Sequence, residues 1–218
     1  VWADSGKVAP GWANARIESK DGTNPNDQLD QPAAVVAFLA ELRRTTDVPA
    51  ALRDRIDETI ADAVAFLHET TLPDGLPRRC QNCWENALGR FTHTGGIYLQ
   101  AFAAVARAPL DDELRIRAAH AADEALAGLQ DRWIPELGRF PQRASDGDGD
   151  ERPDANTFVL ADALAEYDAL ADERPNAGNA DEGLLPSLPR SIDLDAFASQ
   201  VATHVRSSID ALSRETAD

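Results

Sequence analysis

Three stretches of the chain combine carboxylates, amides, tryptophan and arginine, the side chains that bind sugar hydroxyls. They read SGKVAPGWANARIESKDGTNPNDQLD (5–30), LPRRCQNCWENALGRFTHT (76–94) and DGDGDERPDANTF (146–158). Tryptophan faces can stack on sugar rings while carboxylates and amides bond the hydroxyls. Two carboxylates near a glycosidic bond could then hydrolyse it. These stretches therefore predict a carbohydrate site if the fold brings them together.

Each of the three stretches comes just before a helix that carries little charge. Apolar residues recurring at intervals of three and four predict these helices at 27–44, 92–107 and 155–170, the first capped by Asn26 or Asp27. They alternate with more charged amphipathic helices at 49–70, 111–132 and 194–213. A helix that is apolar all round belongs in an interior. The alternation predicts an all-α fold in which inner and outer helices are paired, as in an (α/α)6 toroid.

The middle stretch carries a motif that starts at Trp84-Glu85 and continues with Gly89, Phe91, Thr92 and Thr94. This motif resembles the general-acid segment of glucoamylase-like glycoside hydrolases of family 15, where a Trp-Glu pair lies just before an inner helix. NPNDQLD (24–30) is similar to that family's segment ending in Q-x-D. PDANTF (153–158) is similar to its D-A-S segment. The three segments follow the family's order and cover most of the chain.

The resemblance implies inverting hydrolysis of α-glucosidic bonds at the non-reducing ends of glucans, the reaction of a glucan 1,4-α-glucosidase. Glu85 would be the general acid, which must be protonated, so its pKa should be raised by a site of low polarity. Trp84 would shape the sugar subsite, and Asn86 stands where many relatives carry a second glutamate. The other candidate substrate-binding residues are Arg16, Asn24, Gln28, Asp30, Arg90 and Asp154.

The general base that such an enzyme requires is not visible. An inverting enzyme needs a second carboxylate about 6.5–9.5 Å from the acid to activate water. The family carries this base on a later inner-helix loop, and its arginine-aspartate substrate motif precedes the first segment. We therefore expect residues 1–218 to form about half of a toroid and to be inactive alone. We also expect them to expose apolar inner-helix surface at both edges.

The charge of the chain indicates its environment more than its ligand. With 21 basic and 38 acidic residues, the net charge of −17 argues against nucleic acid and anionic membranes as partners. No run of 18 apolar residues predicts a transmembrane helix. Lysine is almost absent and aspartate outnumbers glutamate, as in proteins of salt-saturated cytoplasm, where a Debye length of about 3 Å screens the repulsion. A docking face for a cationic partner is the alternative interpretation.

No metal or cofactor is expected. Cys80 and Cys83 form a single C-x-x-C without the further ligands that a zinc site needs, so we expect two buried or half-buried thiols. Asp146, Asp148 and Asp150 alternate with glycine as in a calcium loop, but the position that needs a bidentate glutamate holds threonine. We interpret this loop as solvated. The four histidines show no metal pairing and are interpreted as helix or loop residues: His68, His93, His120 and His204.

Three functions remain open from the sequence. The first is a glucoamylase-type glycosidase, and the second is a trehalase of the same family on the same scaffold. The third is a non-catalytic helical module that binds glycans or a partner protein. In that case Glu85 would only complement the dipole at a helix N-terminus. Trp12, Trp84 and Trp133 could also be ordinary core or rim aromatics, the favoured interpretation for Trp133.

Overall fold

The protein is mainly helical. The computed structural model describes residues 28–83, 87–144, 149–175, 184–189 and 191–215. Within these ranges lie six α-helices and one two-stranded antiparallel sheet, which is formed by β1 (Cys80–Gln81) and β2 (Leu88–Gly89). None of these helices is both long and apolar enough to cross a membrane. The helices are α1 (Asp30–Thr45), α2 (Ala50–Thr70), α3 (Thr92–Arg107), α4 (Asp112–Gln130), α5 (Val159–Asp172) and α6 (Leu194–Glu215).

The helix boundaries predicted from apolar periodicity agree with the structure to within two residues, except at the starts of α1 and α5. α3 spans the predicted residues, and α2, α4 and α6 differ from prediction by one or two residues at an end. The predicted helix 155–170 instead begins with a short 3-10 helix, Ala155–Phe158, before α5. α1 begins at Asp30 without a side-chain cap at Leu29, and the proposed caps Asn26 and Asp27 lie outside the described residues.

The six helices are arranged in two layers. α3 lies between α1 and α5, while α2 packs on α1, α4 on α3 and α6 on α5. The prediction that the charge-poor helix 92–107 belongs in the interior is confirmed, because its apolar side chains, such as Tyr98, Leu99 and Phe102, are fully buried. Apolar burial of this extent is the main stabilising contribution to such a fold.

The inner helices α1, α3 and α5 run parallel, as contacts near their C-terminal ends show. Arg107, the last residue of α3, forms ion pairs with Glu166 in the second half of α5 (2.5 Å) and with Glu173 directly after α5 (2.9 Å). Arg43 near the end of α1 donates to the carbonyl of Pro109, which follows α3, at 3.2 Å. The loops that precede the inner helices therefore share the opposite end of the molecule.

The turn after α2 packs directly on the backbone of α4. Gly75 has φ +76°, and a Cβ there would lie 2.1 Å from the carbonyl oxygen of Glu124. A Cβ at Gly128 on α4 would lie 2.2 Å from the carbonyl oxygen of Asp74. Only glycine allows this approach on both sides. The contact fixes the chain just before β1 and so anchors the sheet to the helical scaffold.

One face of α1 is not covered by the described residues. Val35 and Phe38 on this face are 52% and 64% exposed. The exposed positions of α5 carry small or acidic residues instead, namely Ala161, Asp162, Ala165 and Asp168. Exposed apolar surface on the inner layer is thus concentrated on α1.

Candidate functional site

The N-terminal ends of the three inner helices meet around one histidine. His93, the second residue of α3, donates from Nδ1 to the carbonyl oxygen of Asn156 in the 3-10 helix before α5, at 2.9 Å. Its Nε2 lies 3.5 Å from Oδ2 of Asp30, the first residue of α1. The residues at the start of three separate inner helices are thereby joined at one end of the molecule.

Asp30 has a carboxylate oxygen with unused bonding capacity. Asp30 is only 7% exposed, and its Oδ1 has no hydrogen-bond partner among the described residues. The free amides at the start of α1 favour a negative charge at this position. A buried carboxylate oxygen without a donor is nevertheless costly, and native proteins rarely leave one. A hydroxyl or N–H group of a bound ligand would supply the donor that is lacking.

His93 is favoured in its protonated form. Its Nδ1 faces a carbonyl and its Nε2 faces a carboxylate, so both ring nitrogens face acceptors, which only the imidazolium can satisfy. Burial lowers the pKa of His93, but the hydrogen bonds to Asp30 and Asn156 and the charges of Asp30 and Asp154 outweigh it, so the pKa is raised overall.

Asp154, a predicted substrate-binding residue, caps the 3-10 helix. Its Oδ1 accepts from the backbone N–H of Asn156 at 3.1 Å, and its Oδ2 accepts from Nε2 of Gln142 at 3.0 Å. The carboxylate lies close enough to His93 to raise the pKa of that histidine. Asp154 thus sets the position of the loop before α5, and it belongs to the same cluster as Asp30.

The segment of residues 140–144 lies beside this cluster and is bonded to the start of α3. The hydroxyl of Thr92 donates to the carbonyl of Pro141 at 2.6 Å, and the Thr92 N–H donates to the carbonyl of Gln142 at 3.1 Å. Thr92 is fully buried. The first residue of α3 therefore fixes the segment that carries Gln142.

The two strands of the sheet lie on either side of residues 83–86 in the sequence. Cys80 pairs with Gly89 and Gln81 with Leu88. Asn82 and Ala87 exchange two hydrogen bonds, one between their backbones at 3.0 Å and one from the Ala87 N–H to Oδ1 of Asn82 at 3.2 Å. Asn82 and Ala87 are thus held side by side shortly before α3 begins. This sheet was not predicted.

The cysteines agree with the prediction of buried or half-buried thiols. Cys80 is buried, with its sulfur 3.8 Å from the hydroxyl of Thr94, and Cys83 is half-buried. Neither cysteine forms a disulfide bond. Among the residues that the structure describes, no group of three or more histidine, cysteine, aspartate or glutamate side chains is arranged to hold a metal ion.

The remaining predicted site residues have varied locations. Arg90 forms an ion pair with Asp74 and donates from Nε to the carbonyl of Pro77 at 3.2 Å, so its guanidinium braces the turn after α2. Gln28 is half-buried and accepts a hydrogen bond from the side chain of Gln31. Five predicted residues lie outside the described ranges, namely Arg16, Asn24, Trp84, Glu85 and Asn86.

Three residues of the cluster were not predicted from the sequence. His93 was interpreted as an ordinary helix residue, and Thr92 and Gln142 were given no individual role. Their positions depend on contacts between residues 49 and 63 apart in the chain. One signal was available for His93, since it is a titratable side chain in the first turn of a helix that otherwise carries almost no charge.

A second histidine supports the loop before α5 from the outer layer. His204 on α6 is fully buried, and its Nδ1 accepts the N–H of Phe140 at 3.2 Å. Its Nε2 must then carry the proton and donate to the hydroxyl of Thr157 at 2.7 Å, and Thr157 in turn donates to the carbonyl of Asp154. Burial, with a smaller effect of the Arg139 charge, lowers the pKa of His204 to about 4.

This neutral histidine should make the protein sensitive to acid. The unfolded chain binds a proton at His204 near pH 6.5, whereas the folded chain does so only near pH 4. The contribution of neutral His204 to the free energy of unfolding is therefore fully present above about pH 6.5. It is lost as the pH falls to about 4, and the total loss is about 3 kcal/mol. We expect urea titrations in molar KCl to show this loss in the wild type. His204→Asn, whose Oδ1 can still accept the Phe140 N–H, should show a shallower slope, and equal slopes would contradict the assignment.

Comparison with protein-family models, with curated proteins and with solved structures finds no match for this chain. A buried, partly unbonded carboxylate, a histidine with a raised pKa and a second carboxylate gather at one end of the inner helices. The unbonded carboxylate oxygen can accept a hydrogen bond from a donor such as a hydroxyl group.

Proposed function

We propose that this chain is part of an inverting glycoside hydrolase of the glucoamylase type, which releases glucose from the non-reducing ends of α-glucans. In this proposal the two helical layers are about half of an (α/α)6 toroid. Support for the toroid comes from the parallel inner helices α1, α3 and α5, each covered by an outer helix. The proposed substrate is an α-glucan or oligosaccharide, and the reaction requires no cofactor.

The observation that carries the proposal is the unbonded Oδ1 of Asp30 at the meeting point of three helix ends. A sugar hydroxyl is both a donor and an acceptor, so it could bond this oxygen and a neighbouring group at once. The motif that resembles the general-acid segment ends in the first turn of α3, with Thr92 and Thr94, which lies at the same end of the molecule. A carbohydrate site explains both features.

The residues take the following roles in this proposal. Glu85 is the general acid that protonates the leaving oxygen, and Trp84 and Asn86 border the sugar bound next to it. Asp30 binds a hydroxyl. No residue of this chain is assigned as the general base. Arg90 acts through the turn that it braces, and the other proposed contacts to substrate come from Arg16, Asn24, Gln28 and Asp154.

An activity assay that identifies the substrate cleaved and the anomer of the released glucose tests this proposal. The natural gene product that contains this chain should be assayed in molar KCl, because its acidic surface indicates a salt-adapted protein. We expect glucose from maltose and soluble starch, released as the β-anomer and followed by NMR, because a single displacement inverts the anomeric carbon. Cleavage of trehalose alone would show a trehalase instead. Binding of maltodextrin without any cleavage would show a non-catalytic module.

A further inference from the structure

His93 links the starts of the three inner helices to one another. It is the second residue of α3, and its partners Asp30 and Asn156 each lie 63 residues away along the chain, in opposite directions. Asp30 begins α1, and Asn156 lies in the 3-10 helix that leads into α5. One side chain therefore joins parts of the molecule that are far apart in sequence.

Both links require that the ring of His93 carries two N–H groups. Nδ1 lies 2.9 Å from the carbonyl oxygen of Asn156, and Nε2 lies 3.5 Å from Oδ2 of Asp30. A carbonyl and a carboxylate accept hydrogen bonds and do not donate them, and a neutral imidazole has a single N–H. Protonated His93 can therefore bond both oxygens, whereas neutral His93 must turn a lone pair toward one of them.

The link to Asp30 determines which carboxylate oxygen is left for a ligand. Asp30 is 7% exposed, and the ion pair with His93 is the only one that it forms within the described part of the chain. His93 holds Oδ2, while Oδ1 is buried and has no hydrogen-bond partner among the described residues. A carboxylate that is fixed at one oxygen presents the other in a constant direction, which keeps the entropy cost of binding low. Loss of the link would remove this constraint.

The charged groups that face His93 from the described residues are negative. Asp30 faces it from α1, and Asp154 faces it from the loop before α5. Apart from His93, α3 carries no ionisable side chain but Tyr98 before Arg107, its last residue. Burial lowers the pKa of His93, but the bonds to Asp30 and Asn156 and the two negative charges outweigh it. The ring therefore keeps its proton to a higher pH than a histidine in solution.

Two other histidines titrate in a different range of pH. Burial, with a smaller effect of the Arg117 charge, lowers the pKa of His68. Burial likewise lowers the pKa of His204 to about 4. Both rings lose their protons at a lower pH than His93 does. A change that occurs above about pH 6.5 is therefore separated from the titration of both.

We infer that His93 is a positioning residue for the carbohydrate site: its protonated ring fixes Asp30 for a sugar hydroxyl, and loss of the proton lowers the affinity for sugar. The inference rests on the proposed function, in which Asp30 binds a hydroxyl of the glucan. His93 acts through Asp30 and does not itself contact the sugar. Because the pKa of His93 is raised, binding should be strongest below about pH 6.5. It should weaken as the pH rises through the pKa that His93 has in the folded chain.

Binding of maltose to the 218-residue chain, measured by calorimetry in molar KCl from about pH 6 to about pH 9, tests this inference. Maltose does not ionise in this range, so a change of affinity reports on the protein. The wild-type affinity should fall about tenfold, as expected for the loss of one hydrogen bond. His93→Gln cannot be protonated, so it should bind maltose about tenfold more weakly than the wild type at the acidic end, with little dependence on pH. His120→Gln changes an exposed histidine on α4 and should behave as wild type.

The titration of His93 can be measured independently of any sugar. Its Cε1–H resonance, assigned by triple-resonance NMR, should titrate with a midpoint above about pH 6.5. Asp30→Asn removes a charge that favours the protonated ring, so the midpoint should move to lower pH. In the wild type, the midpoint of the NMR titration should coincide with that of the fall in maltose affinity. If His93→Gln does not fold, the agreement of these two wild-type midpoints decides the question.

Two results would overturn the inference and leave the proposed function standing. One is a wild-type affinity for maltose that stays constant while the resonance of His93 titrates. The other is an equal fall of affinity with pH in His93→Gln, with circular dichroism showing a folded chain, because the dependence would then belong to another group. If the wild type binds no maltose at any pH, the proposed function fails for this chain and the positioning role of His93 fails with it.

Discussion

Replacing Glu85 by glutamine should lower kcat for maltose about 10²–10⁴-fold in the natural gene product that contains this chain, while KM changes little. Glutamine has nearly the same shape as glutamic acid but has no acidic proton to give to the leaving oxygen. The substrate would still be bound by the groups at the helix ends, of which Asp30 is the best-defined. Initial rates in molar KCl, with glucose release as the signal, measure the effect.

A substrate that needs no protonation gives the sharper form of this test. Fluoride departs from α-glucosyl fluoride with little help from an acid, so Glu85→Gln should cleave this substrate at close to the wild-type rate. Glu69→Gln, which changes an exposed glutamate on α2, is the matched control and should behave as wild type on both substrates. Full turnover of maltose by Glu85→Gln would show that Glu85 is not the general acid.

The helices were predictable because their signal is local. Apolar residues at intervals of three and four reflect which face of each helix is buried, and this face is set within the helix itself. The start of α5 was misplaced because Asp154 bonds the amide of Asn156 and begins a 3-10 helix, a choice that apolar periodicity does not record. The sheet was missed because strands of two residues are too short to show alternation.

The meeting of the starts of the inner helices was predictable, whereas the side-chain contacts there were less so. Alternating inner and outer helices were enough to predict that these ends lie together, and His93 links the starts of α1 and α5 to α3. The bond from the guanidinium of Arg90 to Asp74 in the turn after α2 was not predicted. Side-chain partners of this kind depend on distances between elements that a single sequence does not contain.

The preference for arginine over lysine, which we interpret as a sign of a high-salt environment, also has a structural role. Arg43, Arg107 and Arg174 are buried or nearly so, and each bonds a carboxylate on a different helix or loop. The planar guanidinium can bond two acceptors in fixed directions, which lysine cannot do. Screening by salt weakens exposed ion pairs far more than buried ones. These arginines can therefore join helices in a high-salt environment.

The buried pair of Asp123 and Arg174 should have the largest effect on stability. Asp123 on α4 accepts from Tyr167 on α5 at 2.6 Å and lies 2.9 Å from the guanidinium of Arg174. The side chain of Arg174 is only 1% exposed. Asp123→Ala would leave a buried positive charge and a buried hydroxyl without an acceptor. We expect the free energy of unfolding to fall by about 3–5 kcal/mol, a large part of the stability of a typical domain.

Comparison with three further variants tests whether the unpaired charge of Arg174 causes the loss of stability in Asp123→Ala. Tyr167→Phe removes one hydrogen bond and should cost about 1 kcal/mol. Asp112→Ala on the same helix breaks an exposed pair with Arg115 and should cost less than about 1 kcal/mol. If the unpaired charge is the cause, removing both charges in Asp123→Leu with Arg174→Met should restore most of the loss. A double variant as unstable as Asp123→Ala in urea titrations would show that shape, and not charge, decides how α4 packs against α5.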